Sequence, residues 1–124
     1  MSADWPERAV CRLDALGNPG TREFAVGEGD WPFQGFVVRT GDTVRAYVNR
    51  CPHKALTLNL REHDFLAPVP GGGTLLRCVH HGAFFVPENG LCVVGPCAGR
   101  TLQGLECRVE DGMVLVRAPD KPVE

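Results

Sequence analysis

Cys51-Pro52-His53 and then, after 24 intervening residues, Cys78-Val79-His80-His81-Gly82 are the stretches from which the rest of this chain is read. Each carries one thiol and at least one imidazole. Two donors two or three positions apart on a tight loop can converge on one small inorganic centre, and the fixed φ of Pro52 stiffens the first loop. Two such loops facing each other complete a four-ligand site made of Cys51, His53, Cys78 and one of the pair His80 and His81.

Cysteine and histidine suit both zinc and iron-sulfur centres, so the ligand types alone leave the metal open. A structural zinc site usually takes like ligands in pairs, whereas each loop here contributes one of each kind. Mixed loops fit a Rieske centre better, because its cysteines bind one iron and its histidines the other.

The residues show a family resemblance. Cys51-Pro52-His53 and Cys78-Val79-His80-His81-Gly82 resemble the Cys-x-His and Cys-x-x-His boxes of Rieske [2Fe-2S] proteins. Ala83-Phe84-Phe85, Glu88-Asn89-Gly90 and the segment Gly95-Pro96-Cys97-Ala98-Gly99-Arg100-Thr101-Leu102 resemble the region after the second box in Rieske ferredoxins and in the small subunits of related reductases. The resemblance implies a [2Fe-2S] cofactor with Cys51 and Cys78 on the inner iron and His53 and His81 on the outer one. It selects His81 over His80 and sets Gly95-Pro96 in the family's proline loop over the cluster.

Three positions depart from the family pattern. The spacer of 24 residues is long for a ferredoxin-type member, an excess assigned to a loop over Arg61 to Gly73. Leu56 and His80 stand where high-potential members carry an extra cysteine, and Ala83 stands where those members commonly have a serine. Imidazoles in place of thiolates make a cluster easier to reduce, while missing hydrogen bonds act the other way. The expected potential lies in the lower part of the Rieske range of roughly −150 to +300 mV.

Composition sets the frame around these boxes. A length of 124 residues matches one domain, and 44% hydrophobic residues suffice for a modest core. With 13 Lys and Arg against 15 Asp and Glu the net charge is −2, and no basic run suggests nucleic acid as a partner. The start, MSADWPERAV, lacks the apolar core of a signal peptide, and no stretch approaches the length of a membrane span. These readings predict a cytoplasmic protein without membrane contact, its six cysteines reduced or bound to metal rather than paired in a disulfide framework.

Short Val-, Leu-, Phe- and Thr-rich segments between scattered glycines and prolines predict strands. The clearest is a hairpin of Phe36 to Arg39 and Thr43 to Val48 around Thr40-Gly41-Asp42. A second runs from Leu105 to Val109, turns through Glu110-Asp111-Gly112 and returns over Met113 to Arg117, with Val114 and Val116 sharing one face. Helical periodicity is weak, with at most a short turn within Lys54 to Arg61. The expected fold is all-β: an antiparallel sandwich or barrel base over about 1–48 and 101–124, with a cluster-binding subdomain of two loops inserted over about 49–100.

Other candidate residues are assigned to packing. Cys11 and Cys107 on strands are expected as buried small hydrophobes, and His63 as a surface histidine. Cys92 and Cys97 lie closer to the site in sequence, so contact with the cluster or a redox role stands beside packing. Phe84 and Phe85, adjacent on a strand, are expected on opposite faces.

No acid, base or nucleophile arrangement accompanies the boxes, and a lone domain of this kind has neither a substrate chamber nor a mononuclear iron. The expected function is single-electron transfer without catalytic activity of its own, as a ferredoxin-like carrier or subunit that receives electrons from a reductase and passes them to an oxygenase or reductase. Two alternatives are a zinc-binding or metal-free structural or regulatory module, and the small subunit of a nitrite reductase-like enzyme.

Overall fold

Both expected hairpins form in the computed structural model, which describes residues 5–27, 32–52, 57–59, 64–79 and 82–120. Strands β3 (Phe33–Thr40) and β4 (Thr43–Val48) pair antiparallel with Thr40 opposite Thr43, leaving Gly41-Asp42 as a two-residue turn. Strands β10 (Cys107–Glu110) and β11 (Met113–Arg117) join through Asp111 (φ 52°) and Gly112 (φ 76°), the two left-handed residues of a type I′ turn. As the alternation predicts, Val114 and Val116 are fully buried and Met113, Leu115 and Arg117 are half-buried.

The expected strand from Leu105 to Val109 is in fact two. The chain changes sheets at Glu106: β9 (Gly104–Leu105) pairs with β4, and only from Cys107 does it pair with β11. Strands β1 (Glu7–Arg12) and β2 (Gly20–Val26), linked by a 3-10 turn at Leu13–Ala15, complete two sheets ordered β1-β11-β10 and β2-β3-β4-β9. Leu16, Phe33, Val37, Ala46, Leu105, Val114, Val116 and Ala118 form one core, on which Trp5, Phe24 and Val26 also pack.

A third sheet, ordered β5-β6-β7-β8, consists of β5 (Leu66–Pro68), β6 (Thr74–Cys78), β7 (Ala83–Phe85) and β8 (Cys92–Val94). It corrects the expectation of one exposed loop from Arg61 to Gly73. Phe65 is fully buried and stacks on Phe36 with ring centroids 4.3 Å apart, and Leu66–Pro68 pairs with β6. The exposed part among the described residues shrinks to 68–73, while 61–63 lie outside them. Of the turn expected within Lys54 to Arg61, residues 57–59 are not helical and the others lie outside the described residues.

Strand β3 explains why these layers hold together. Side chains alternate across a strand. Phe33 and Val37 enter the first core, whereas Phe36 and Val38 enter a second core with Tyr47, Leu58, Phe65, Leu76, Phe85 and Leu102. The sheet holding β3 is therefore a shared wall, and that second core also contains Cys51 and Cys78.

Candidate metal centre

The first box hangs from the end of β4. There Asn49, only 5% exposed, keeps its backbone bond to the Gln34 carbonyl (3.0 Å) and adds side-chain bonds: its Oδ1 accepts from the Leu58 N–H (2.9 Å) and its Nδ2 donates to Asn59 Oδ1 (3.0 Å). Asn59 Nδ2 donates in turn to Glu23 Oε2 on β2 (3.0 Å). A buried amide with both ends satisfied fixes the loop around it. Two residues on, Cys51 is 2% exposed.

The second box begins on the last residue of β6. Cys78 is fully buried opposite Ala83, and the Gly82 N–H closes the turn to β7 by donating to the Cys78 carbonyl (3.2 Å). A backbone bond ties the second box to the segment that Asn49 anchors: the Val79 N–H donates to the Leu58 carbonyl (2.9 Å). His53 and His81 lie outside the described residues, as do the competing His80 and the surface candidate His63. The structure thus brings Cys51 and Cys78 into one core and describes only this half of the expected ligand set.

A third segment closes on the same core. After β8 the chain turns at Gly95, where a Cβ would lie 2.7 Å from the Ala83 Cα. The Gly99 N–H donates to the Cys92 carbonyl (3.0 Å) and the Cys92 N–H to the Arg100 carbonyl (2.8 Å), so 92–100 is a closed loop. Arg100 Nη1 then donates to the Pro52 carbonyl (3.1 Å), tying this loop to the first box. Gly95-Pro96, expected to cover the cluster, is therefore anchored to Ala83 beyond the second box and, through Arg100, to the first.

Sequence reasoning set packing beside contact with the cluster or a redox role for Cys92 and Cys97; the fold shows the packing. Cys92 and Cys97 are 2% and 1% exposed, their Sγ atoms are 3.0 Å apart, and the Cys92 thiol donates to the Val94 carbonyl (3.2 Å). Burial, the hydrogen bond to Cys92 and the nearby Cys51 push the Cys97 thiol up to about 12. No local sequence signal marks this contact, because it depends on the turn between β8 and Arg100. The anchoring role of Asn49 was missed for the same reason. Cys11 and Cys107 are half-buried rather than buried, packed at the margin of the first core, and Phe85 is buried while Phe84 faces the other way, half-buried.

The donor set suits an iron-sulfur centre. Cys51 and Cys78 are buried thiols that form no disulfide, and soft sulfur ligands favour iron-sulfur or zinc sites. Among the described residues no three His, Cys, Asp or Glu side chains are placed together to hold a metal ion. The family model for the Rieske [2Fe-2S] domain matches residues 7–116. The chain belongs to the Rieske family. Its cofactor is accordingly a [2Fe-2S] cluster, and its function is single-electron transfer through that cluster.

Solved Rieske structures share the fold. A chain of the complex of reduced oxygenase and oxidized ferredoxin in carbazole 1,9a-dioxygenase is 25% identical, with TM-score 0.65, covering 95% of this chain and 97% of that one. The ferredoxin of carbazole 1,9a-dioxygenase from Nocardioides aromaticivorans IC177 is 24% identical, with TM-score 0.66 over 91% of this chain and 97% of that chain. A Sphingomonas yanoikuyae B1 ferredoxin is 21% identical, with TM-score 0.63 over 92% of this chain and 100% of that chain. No curated protein matches the sequence. Among the described residues no helix is long and apolar enough to cross a membrane.

Proposed function

We propose that Cys51, His53, Cys78 and His81 hold the cluster, the cysteines on the inner iron and the histidines on the outer iron, and that the chain is a ferredoxin-like carrier between a reductase and an oxygenase or another reductase. The observation that carries this reading is the meeting of Cys51 and Cys78 in one buried core, the second box tied by the bond from Val79 to Leu58 to the segment that Asn49 anchors. The ferredoxin chains that the fold matches over nearly their whole length support a carrier. The bound cluster supplies one-electron exchange; the chain's own residues bury the thiolates, fix both loops and close the site with the 92–100 loop. We read the chain as one domain, a base over about 1–48 and 101–124 and a cluster-binding part over about 49–100, working in the cytoplasm with none of its six cysteines in a disulfide.

Visible absorption and EPR of the dithionite-reduced protein test this reading, with iron and labile sulfide counted in parallel. A red-brown protein with the low average g value of a histidine-ligated cluster is the expected result, with Cys51→Ser and His81→Ala each losing that signal. A colourless protein holding stoichiometric zinc after anaerobic cluster reconstitution would overturn it. Reduction by a ferredoxin reductase and reoxidation by an oxygenase establish the carrier role, whereas obligate co-purification with a large flavin or haem chain would indicate a reductase subunit.

A further inference from the structure

Three sulfurs meet beside the first box. The Cys97 thiol donates to Cys92 Sγ (3.0 Å) and lies near Cys51, and all three are buried in the same core. A thiol has a single proton to donate, so the loading of the site decides where each S–H points. With Cys51 bound to iron, its sulfur carries no proton and can only accept. It is also the most negative of the three, and hydrogen bonds to charged acceptors are the stronger ones. The Cys92 proton has an acceptor in the Val94 carbonyl (3.2 Å) and the Cys97 proton has one in Cys92 Sγ (3.0 Å). A neutral thiol sulfur is the weaker acceptor, so a metal-bound Cys51 draws the Cys97 proton away from Cys92.

We infer that Cys97 is a positioning residue for electron transfer, its S–H donating to the Cys51 sulfur in the cluster-loaded protein and raising the reduction potential, with Cys92 behind it orienting the thiol. The inference rests on the ligand assignment proposed above. Hydrogen bonds to cluster sulfurs withdraw electron density and favour the reduced state, so the number of donors sets where a cluster falls in its range. Ala83, buried on the facing strand and in contact with Gly95, offers only a methyl group there, so this donor comes instead from the 92–100 loop.

The test compares reduction potentials of the cluster-loaded full chain and its Cys97→Ala, Cys97→Val and Cys97→Ser variants, with iron per chain and thermal unfolding measured on the same samples. Cys97→Ala and Cys97→Val lack a donor, and both are expected to shift the potential negative with iron content unchanged. Cys97→Ser keeps a donor and is expected at or above the wild-type potential. Cys92→Ala, which spares the Cys97 proton, is expected to show no negative shift. Equal potentials in wild type, Cys97→Ala and Cys97→Val would overturn the inference, as would shifts that track unfolding temperature instead of the presence of a donor. A Cys92–Cys97 disulfide in the mass spectrum of loaded protein prepared without reductant would overturn it too. Loss of iron in Cys97→Ala with retention in Cys51→Ser would overturn the ligand assignment itself.

Discussion

A methyl group at position 95 would meet the Ala83 Cα at 2.7 Å, in a backbone whose φ of +105° side-chain-bearing residues rarely adopt. Neither conflict has a flexible neighbour to relieve it, so the loop itself must move. Gly95→Ala is expected to lower unfolding free energy by about 2 kcal/mol, the cost of a strained backbone. Gly104→Ala, where a Cβ meets nothing within 4 Å, is the control and should stay within about 0.5 kcal/mol. Urea unfolding of both variants decides whether the close approach of the 92–100 loop to β7 is real. Tyr47 and Cys107 give a second prediction at this scale. Burial raises the Tyr47 phenol from 10.0 to about 12 and the Cys107 thiol from 9.0 to about 11. Both groups hold their protons more tightly folded than unfolded, so their contribution is full below the unfolded values and is lost as pH climbs through the folded ones. Stability should therefore fall from about pH 9 for Cys107 and from about pH 10 for Tyr47. The Tyr47 hydroxyl donates to the Pro87 carbonyl (2.7 Å), so Tyr47→Phe should cost about 1–2 kcal/mol at neutral pH and flatten the upper part of the alkaline decline. Urea midpoints across that range check both.

At the level of elements, the segment before β6 separates what the sequence could say from what it could not. Arg61 to Gly73 is polar, then Pro-rich, then Gly-rich, and composition alone argues for an exposed loop. Yet Phe65 lies within it, fully buried against Phe36. An exposed loop predicts a change within about 0.5 kcal/mol for Phe65→Ala, whereas a buried aromatic predicts a loss of about 3–5 kcal/mol. Chemical unfolding should show the large loss. A single Phe in a polar run carries no periodicity, so only the stacking partner, far away in sequence on β3, reveals its role. The hairpins were legible for the opposite reason: Gly41-Asp42 and Asp111-Gly112 are local turn signals, and Val114 and Val116 alternate on a half-buried strand. Local signals failed again at Glu106, where the chain leaves one sheet for the other without glycine or proline to mark it. The thiols of the two boxes were legible because metal chemistry demands residue types at short spacing. The Cys97 contact and the Asn49 anchor demand only that distant loops meet.

Across the whole molecule, two cores share one wall. Val37 and Ala46 face the core of Val114 and Val116, while Phe36, Val38 and Tyr47 face the core that holds Cys51, Cys78, Cys92 and Cys97. Cluster binding therefore couples strongly to one core and to the other only through β3 and β4. A group that binds the folded state alone stabilises it by mass action, and metal centres commonly supply much of the folding free energy around their ligands. Removing the cluster should thus leave two unpaired loops around buried thiols, while the sheet ordered β1-β11-β10 keeps its own packing. Hydrogen exchange on loaded and cluster-free protein reads this directly. The Leu58 and Val79 amides, bonded to Asn49 Oδ1 and to the Leu58 carbonyl, are expected to lose protection, as is the Gly82 amide bonded to the Cys78 carbonyl. Amides of β10 and β11 are expected to change little, because no cluster-core side chain supports them. Uniform loss of protection in both sheets would mean that the shared wall transmits the whole effect and that the fold is one cooperative unit with its cluster. Loss confined to the loops would mean that the base folds independently and presents a preformed frame on which the cluster loops close.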